Sequence, residues 1–234
     1  MKFLSLISLL GALFGATGSL HAQGESASIR LLAFSRVGDA REVMVAGADG
    51  KLLHDKPLAL PTEQLSPELK VSSRSLVFQA GAAAPAEGGT AVPALAKVVL
   101  PASGKDFILV FLPDAKATTP SYKVDAVPVP EGGFGSGDQA FVNYSGSNVA
   151  FVIAGEKVQV PQGKSAIYHP KEAGGNRVIA GYHQGKDGKW STTPFYSSRL
   201  IIQEGVRNLI LIVRNPKTGE PDFRGITDFV EKAE

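Results

Sequence analysis

Residues 96–127 read AKVVLPASGKDFILVFLPDAKATTPSYKVDAV, and residues 198–228 read SRLIIQEGVRNLILIVRNPKTGEPDFRGITD. At an offset of 102, Lys97 falls on Arg199, Val98 on Leu200, Val99 on Ile201 and Leu100 on Ile202. Lys105 and Asp106 fall on Arg207 and Asn208 at the same offset, and FILVF at 107–111 falls on LILIV at 209–213. After a slip of one residue, Tyr122 and Lys123 fall on Phe223 and Arg224. Such likeness between segments about a hundred residues apart implies two copies of one domain.

The rest of the chain fits that division. Its 26 glycines and 15 prolines punctuate short runs rich in Val, Ile, Leu and Phe, the spacing of an all-β sandwich or barrel. Strands are expected at 29–35, 42–46, 51–53, 58–60, 70–79, 97–100, 106–112 and 122–127 in the first half. The second half should follow the same plan at 139–144, 149–154, 157–160, 166–169, 177–183, 199–203, 208–214 and 223–227. Residues 107–112 are apolar at every position, so both faces of that strand should be buried. Asp49-Gly50 and Asp187-Gly188 are tight-turn dipeptides, because glycine accepts a positive φ at little cost. The one weak helical candidate is 62–69, broken by Pro67.

The domain boundaries follow. Residues 27–127 form a first sandwich and 139–230 a second. Residues 128–138 (PVPEGGFGSGD) are the linker, stiff at its Pro-rich start and flexible at its Gly-rich end. Residues 80–93 (AGAAAPAEGGTAVP) carry almost no charge and read as a mobile loop. A tandem of such hundred-residue modules resembles the immunoglobulin-like or transthyretin-like domains of exported bacterial proteins. That resemblance implies two tandem antiparallel β-sandwiches formed by internal duplication. It implies no particular function, since one fold hosts many.

Residues 1–22 read as a secretory signal peptide. Lys2 precedes an apolar run at 3–14, which is too short to span a bilayer. Cleavage after Ala22 leaves a polar mature N-terminus, although Leu20 is large for its position before the cut. No cysteine follows as a lipid-attachment site, and no later run is long enough for a membrane anchor. The expected location is therefore periplasmic or extracellular. The chain has no cysteine at all, which excludes disulfides, thiol catalysis and thiolate zinc sites. A cysteine-free exported chain points to a bacterium. The formal net charge of +2 carries no basic run, so nothing marks a nucleic-acid partner.

Candidate chemistry is sparse. His54, His169 and His183 lie in no tight ligand spacing, though His169 and His183 fall on consecutive expected strands. GGFGSG at 132–137 places Phe134 where a nucleophile elbow needs its first glycine, and no Gly-Lys-Ser/Thr follows. No metal, cofactor or catalytic group is expected, and the chain reads as a non-enzymatic structural or binding module. Aromatic residues break the symmetry of the repeat. Tyr168, Tyr182, Trp190, Phe195 and Tyr196 cluster in the second half, where the first holds little beyond Phe78. Flat rings with polar tips suit a sugar or a protein partner, and they also suit cross-strand pairing in a core. Tyr168, Tyr182, Trp190 and Tyr196 are the candidate ligand-binding residues. Their partner would be an envelope protein or, in the alternative reading, a polysaccharide.

Overall fold

A computed structural model describes residues 26–81 and 94–230, apart from 115, 118, 120, 131, 132, 173 and 216. The signal peptide and nearly all of the 80–93 loop lie outside the described residues. Sixteen strands follow in order. The first half supplies β1 (Ala27–Ala33), β2 (Glu42–Gly47), β3 (Leu58–Ala59), β4 (Leu69–Val71), β5 (Ser75–Ala80), β6 (Ala94–Val99), β7 (Asp106–Pro113) and β8 (Tyr122–Val129). The second supplies β9 (Gln139–Tyr144), β10 (Val149–Ile153), β11 (Glu156–Val160), β12 (Ser165–Tyr168), β13 (Gly175–His183), β14 (Tyr196–Ile202), β15 (Val206–Arg214) and β16 (Pro221–Phe229). Among the described residues there is no helix, so 62–69 is irregular. Its Ser66 is buried and accepts the Leu31 amide proton at Oγ while donating to the Pro67 carbonyl, and these side-chain bonds replace helical ones.

Four sheets of four strands result. The first half gives β4-β1-β7-β8 and β3-β2-β5-β6, and the second gives β12-β9-β15-β16 and β11-β10-β13-β14. Strand order is the same in both halves. Two details differ from the sequence reading. The sheets are not wholly antiparallel, because β1 runs parallel to β7 and β9 parallel to β15. The expected strand at 70–79 is also two strands, β4 and β5, in different sheets. Ser73 breaks it by bonding through Oγ to both the amide and the carbonyl of Ser75.

The sheets stack in four layers with three apolar spaces between them. In the first space, Phe107, Leu109 and Phe111 of β7 meet Val43, Val45, Leu76 and Phe78 of the facing sheet. In the third, Phe141 and Ile210 meet Phe151 and Ile179. The middle space joins the halves. There Ile108, Val110 and Val127 of the first half face Ala140, Val142, Leu209, Leu211 and Ile226 of the second. This explains the unbroken apolar run at 107–112: alternate side chains serve two different cores. The same alternation splits β15, with Leu209 and Leu211 in the middle space and Ile210 and Ile212 in the third.

That alternation corrects the residue match in the repeat. Phe107 faces the core of its own half, whereas Leu209, its partner at an offset of 102, faces the other half. One residue of slip turns every side chain to the opposite face. The offset holds in the preceding strands, where Val99 and Ile201 are both exposed, at 71% and 64%. One slip therefore falls in the turn between β6 and β7, and the pairings of β7 with β8 and of β15 with β16 place a further shift of two residues after β7.

Polar latches border the middle space. Asp228 of β16 accepts hydrogen bonds from Arg30 of β1 and Arg207 of β15, at 2.8 Å from Arg30 Nη2 and 2.7 Å from Arg207 Nε. Arg207 also donates to the Phe134 carbonyl and lies 4.7 Å over that ring. Phe134 is buried in the middle core, so this residue of the expected linker is packed between the sheets. Tyr144 donates to Asp125 at 2.7 Å, and Arg224 donates to the carbonyls of Phe34 and Thr62. Burial pushes the Asp228 carboxyl up, but the bonds and charges of Arg30 and Arg207 outweigh it and hold the group below its ordinary value.

Two expectations follow. Leu211→Ala and Ile212→Ala remove adjacent side chains from different spaces, and each should cost about 2–5 kcal/mol in urea melts. A negligible cost for Leu211→Ala alone would mean that the halves do not share a core. A carboxylate held low in the fold contributes fully above its unfolded value, about 3.9, and loses that contribution as the pH falls toward the folded one. Asp228→Asn should be less stable than the native chain at pH 7, and should lose less stability than it on acidification below about pH 4. Parallel stability curves for the two proteins across that window would show that Asp228 is not a latch.

Candidate functional site

The outermost sheet of the second half, β11-β10-β13-β14, has an inward face and an open one. Ile179 and Gly181 of β13 point inward, and His183 follows them, its ring 6.2 Å from that of Phe195. Alternation then places Val178, Ala180 and Tyr182 outward. On β14, Leu200 turns inward while Ser197, Arg199 and Ile201 turn outward. On β11, Val158 and Val160 are inward, leaving Lys157 and Gln159 outward.

The four aromatic candidates divide between these faces. Tyr168 is buried in the third core. Tyr196 packs against that core with its ring 3.8 Å from the ring of Phe223. Tyr182 is half-buried on the outward face, in a cross-strand row with Ala150 and Gln159. Trp190, 37% exposed, bridges to Gln184, and its ring lies 5.1 Å from Lys157 Nζ. The structure thus puts Tyr182 and Trp190 with the open face and turns Tyr168 and Tyr196 away from it.

The turn ahead of Trp190 is built by its sequence. Gly188 has a φ of 78°, and the Asp187 carboxylate accepts the Lys189 amide proton at 3.0 Å. Asp49 and Gly50 build the same turn, with a φ of 78° at Gly50 and 3.0 Å from the Lys51 nitrogen to the Asp49 carboxylate. That turn follows β2 and this one follows β13, so the two do not occupy matching places in the halves.

Around the rings lie groups that a search for aromatics passes over. Val178 and Ile201 are each 64% exposed. Lys157 and Arg199 supply the cations of the outward positions, which carry no carboxylate. The signal was present in the two-residue alternation of KVQV at 157–160 and RLII at 199–202, which fixes their faces once the register is known.

The histidines do not converge. His169 Nδ1 lies 2.9 Å from Asp138 Oδ1, and His183 Nε2 lies 2.9 Å from Glu220 Oε2. Among the described residues, no group of three or more His, Asp or Glu side chains is placed to hold a metal ion. None of the described helices is long and apolar enough to cross a membrane, since the described residues form none. Compared with known proteins, the chain matches no family model and no curated protein.

The two orientations predict different costs. Trp190→Ala gives up an exposed ring and its contact with Lys157, so it should cost less than about 1 kcal/mol. Tyr196→Ala removes a packed ring and should cost about 2–4 kcal/mol. Equal losses in denaturant melts would contradict the inward and outward placement.

Proposed function

We propose that this chain is an exported, non-enzymatic binding module of the bacterial envelope or extracellular space. Its partner docks on the open face of the β11-β10-β13-β14 sheet. The observation that carries this reading is the joint placement of Tyr182, Trp190, Val178 and Ile201 on one face, with Lys157 and Arg199 beside them. Exposed apolar and aromatic groups that the core does not use mark interaction surfaces. The apparent signal peptide supports export, and the cysteine-free composition supports a bacterial setting. Each His–carboxylate pair stands in a different place, which favours a structural role for both.

The module type proposed is transthyretin-like, formed by internal duplication. Each half has eight strands in two sheets of four, with its first and seventh strands adjacent. An immunoglobulin constant domain instead divides seven strands as four and three and separates the first from the seventh. The shared order in both halves supports duplication.

Carbohydrate is the second reading, favoured by two flat rings on an open sheet face. Titration with neutral and uronate-bearing polysaccharides, followed by the emission of Trp190, tests it. Binding should quench or shift that emission, and Tyr182→Ala or Trp190→Ala should weaken it by about fivefold or more. A photo-crosslinker at position 178 or 201 in the exporting cell tests the broader proposal. Crosslinking to one envelope protein would support it and leave the sugar reading without its ligand. The absence of both sugar binding and a specific crosslink would overturn the docking face.

A further inference from the structure

The second half holds a cleft between its two sheets. It occupies about 310 Å3 between the two sheets, at the edge where β14 and β16 meet the solvent. Phe141, Phe151, Ile210, Tyr196 and Phe223 line it. In the first half, β6 lies against β8 and closes the matching edge, and β14 and β16 do not close in that way.

One residue contributes to the opening. Gly225 pairs with Ile210 as Ala126 pairs with Leu109, so Gly225 stands where the first half has Ala126. Ala126 packs against the first core. Gly225 sits in mid-strand opposite Ile210, and a Cβ built on it would meet nothing within 4 Å. Its φ is not in the left-handed region, so no turn requires the glycine. Glycine inside a strand weakens it, and often marks the close approach of a ligand.

The floor of the cleft carries an unsatisfied acceptor. Gln139 is fully buried, and alternation along β9 sets its side chain on the same face as Phe141, toward this space. Its Nε2 donates to the Gly137 carbonyl at 2.8 Å, and its Oε1 is buried with no partner among the described residues. Turning the amide over does not help, because it would set Oε1 against the Gly137 carbonyl oxygen. The orphan is therefore an acceptor. A buried acceptor without a donor costs about 1–3 kcal/mol, so its retention beside an apolar void needs a reason.

We propose that this cleft binds a small uncharged molecule with an aromatic or alicyclic body and a hydroxyl group. The body fills the cleft beside Gly225, and the hydroxyl donates to Gln139 Oε1. A volume of 310 Å3 lies at the small end of ligand sites, which run from about 300 to 1,000 Å3. Arg199 and Ile201 border this cleft as well as the open sheet face, and the ligand chemistry of the two differs.

Calorimetric titration of the full mature chain with 1-naphthol and with naphthalene tests the assignment. The native protein should bind 1-naphthol about five- to tenfold more tightly than naphthalene, the worth of one hydrogen bond to a buried acceptor. Gln139→Leu should bind the two equally. Gly225→Leu should fill the cleft and abolish binding of both, with an unchanged circular dichroism spectrum and an equal or higher melting temperature. Should Gly225→Leu fail to fold, the comparison between the native chain and Gln139→Leu still decides. Failure of the native chain to bind either compound overturns the proposal, as does undiminished binding by folded Gly225→Leu.

Discussion

The middle layer of side chains, between the β4-β1-β7-β8 and β12-β9-β15-β16 sheets, is the constraint on which the rest depends. A sheet with one wet face needs an apolar residue only at every second position. β7 and β15 have no wet face. Their alternate residues, Ile108 and Val110 against Leu209 and Leu211, form a core that neither half owns. At about 1.5–3 kcal/mol for each fully buried aliphatic side chain, that contact is as strong as an ordinary domain core. The two halves are consequently not beads on a tether. Phe134 shows the same thing in the connecting segment, where its ring is part of the shared core.

Apolar contact alone sets no unique register between two flat faces, and the polar groups at its margin supply one. Arg30 and Arg207 come from different halves and converge on Asp228, which two guanidinium groups hold in its charged form. Tyr144 reaches back to Asp125, and Arg224 reaches the carbonyls of Phe34 and Thr62. Sliding one face over the other would strand a buried carboxylate, a large penalty beside the small cost of shifting aliphatic side chains. The latches therefore select one arrangement of an interface whose strength comes mainly from Leu, Ile and Val.

How far the sequence discloses this depends on whether a signal is local. The β class is written in local spacing, and the two-sided burial of 107–112 in an unbroken apolar run. What covers the second face is not local, so the run is equally consistent with a strand inside one sandwich. The division of 70–79 into two strands rests on Ser73 bonding to Ser75, a contact that propensity does not distinguish from a plain extended segment. Face assignment was the main loss among the aromatics. Tyr182 and Tyr196 are equally plausible strand residues, and only the register of β13 against β14 turns one outward and the other inward. The cations at Lys157 and Arg199 are not distinctive in the sequence, because isolated basic residues on strands resemble ordinary solvated positions.

Two copies of one architecture let each difference between them be read against a control. The first half closes its edge, fills its core with Phe78, Phe107 and Phe111, and exposes no ring on its outer sheet comparable to Trp190. The second half repeats its strand order and keeps an open edge, a glycine at the position of Ala126, and an orphan acceptor at Gln139. None of these helps the fold stand. Glycine in a strand and an unpaired buried oxygen each reduce stability by about 0.5–3 kcal/mol. The first half shows that the architecture does without them. A scaffold stabilised by a shared middle core can tolerate such losses in its outermost space, which is the one place where a ligand enters without parting the two halves.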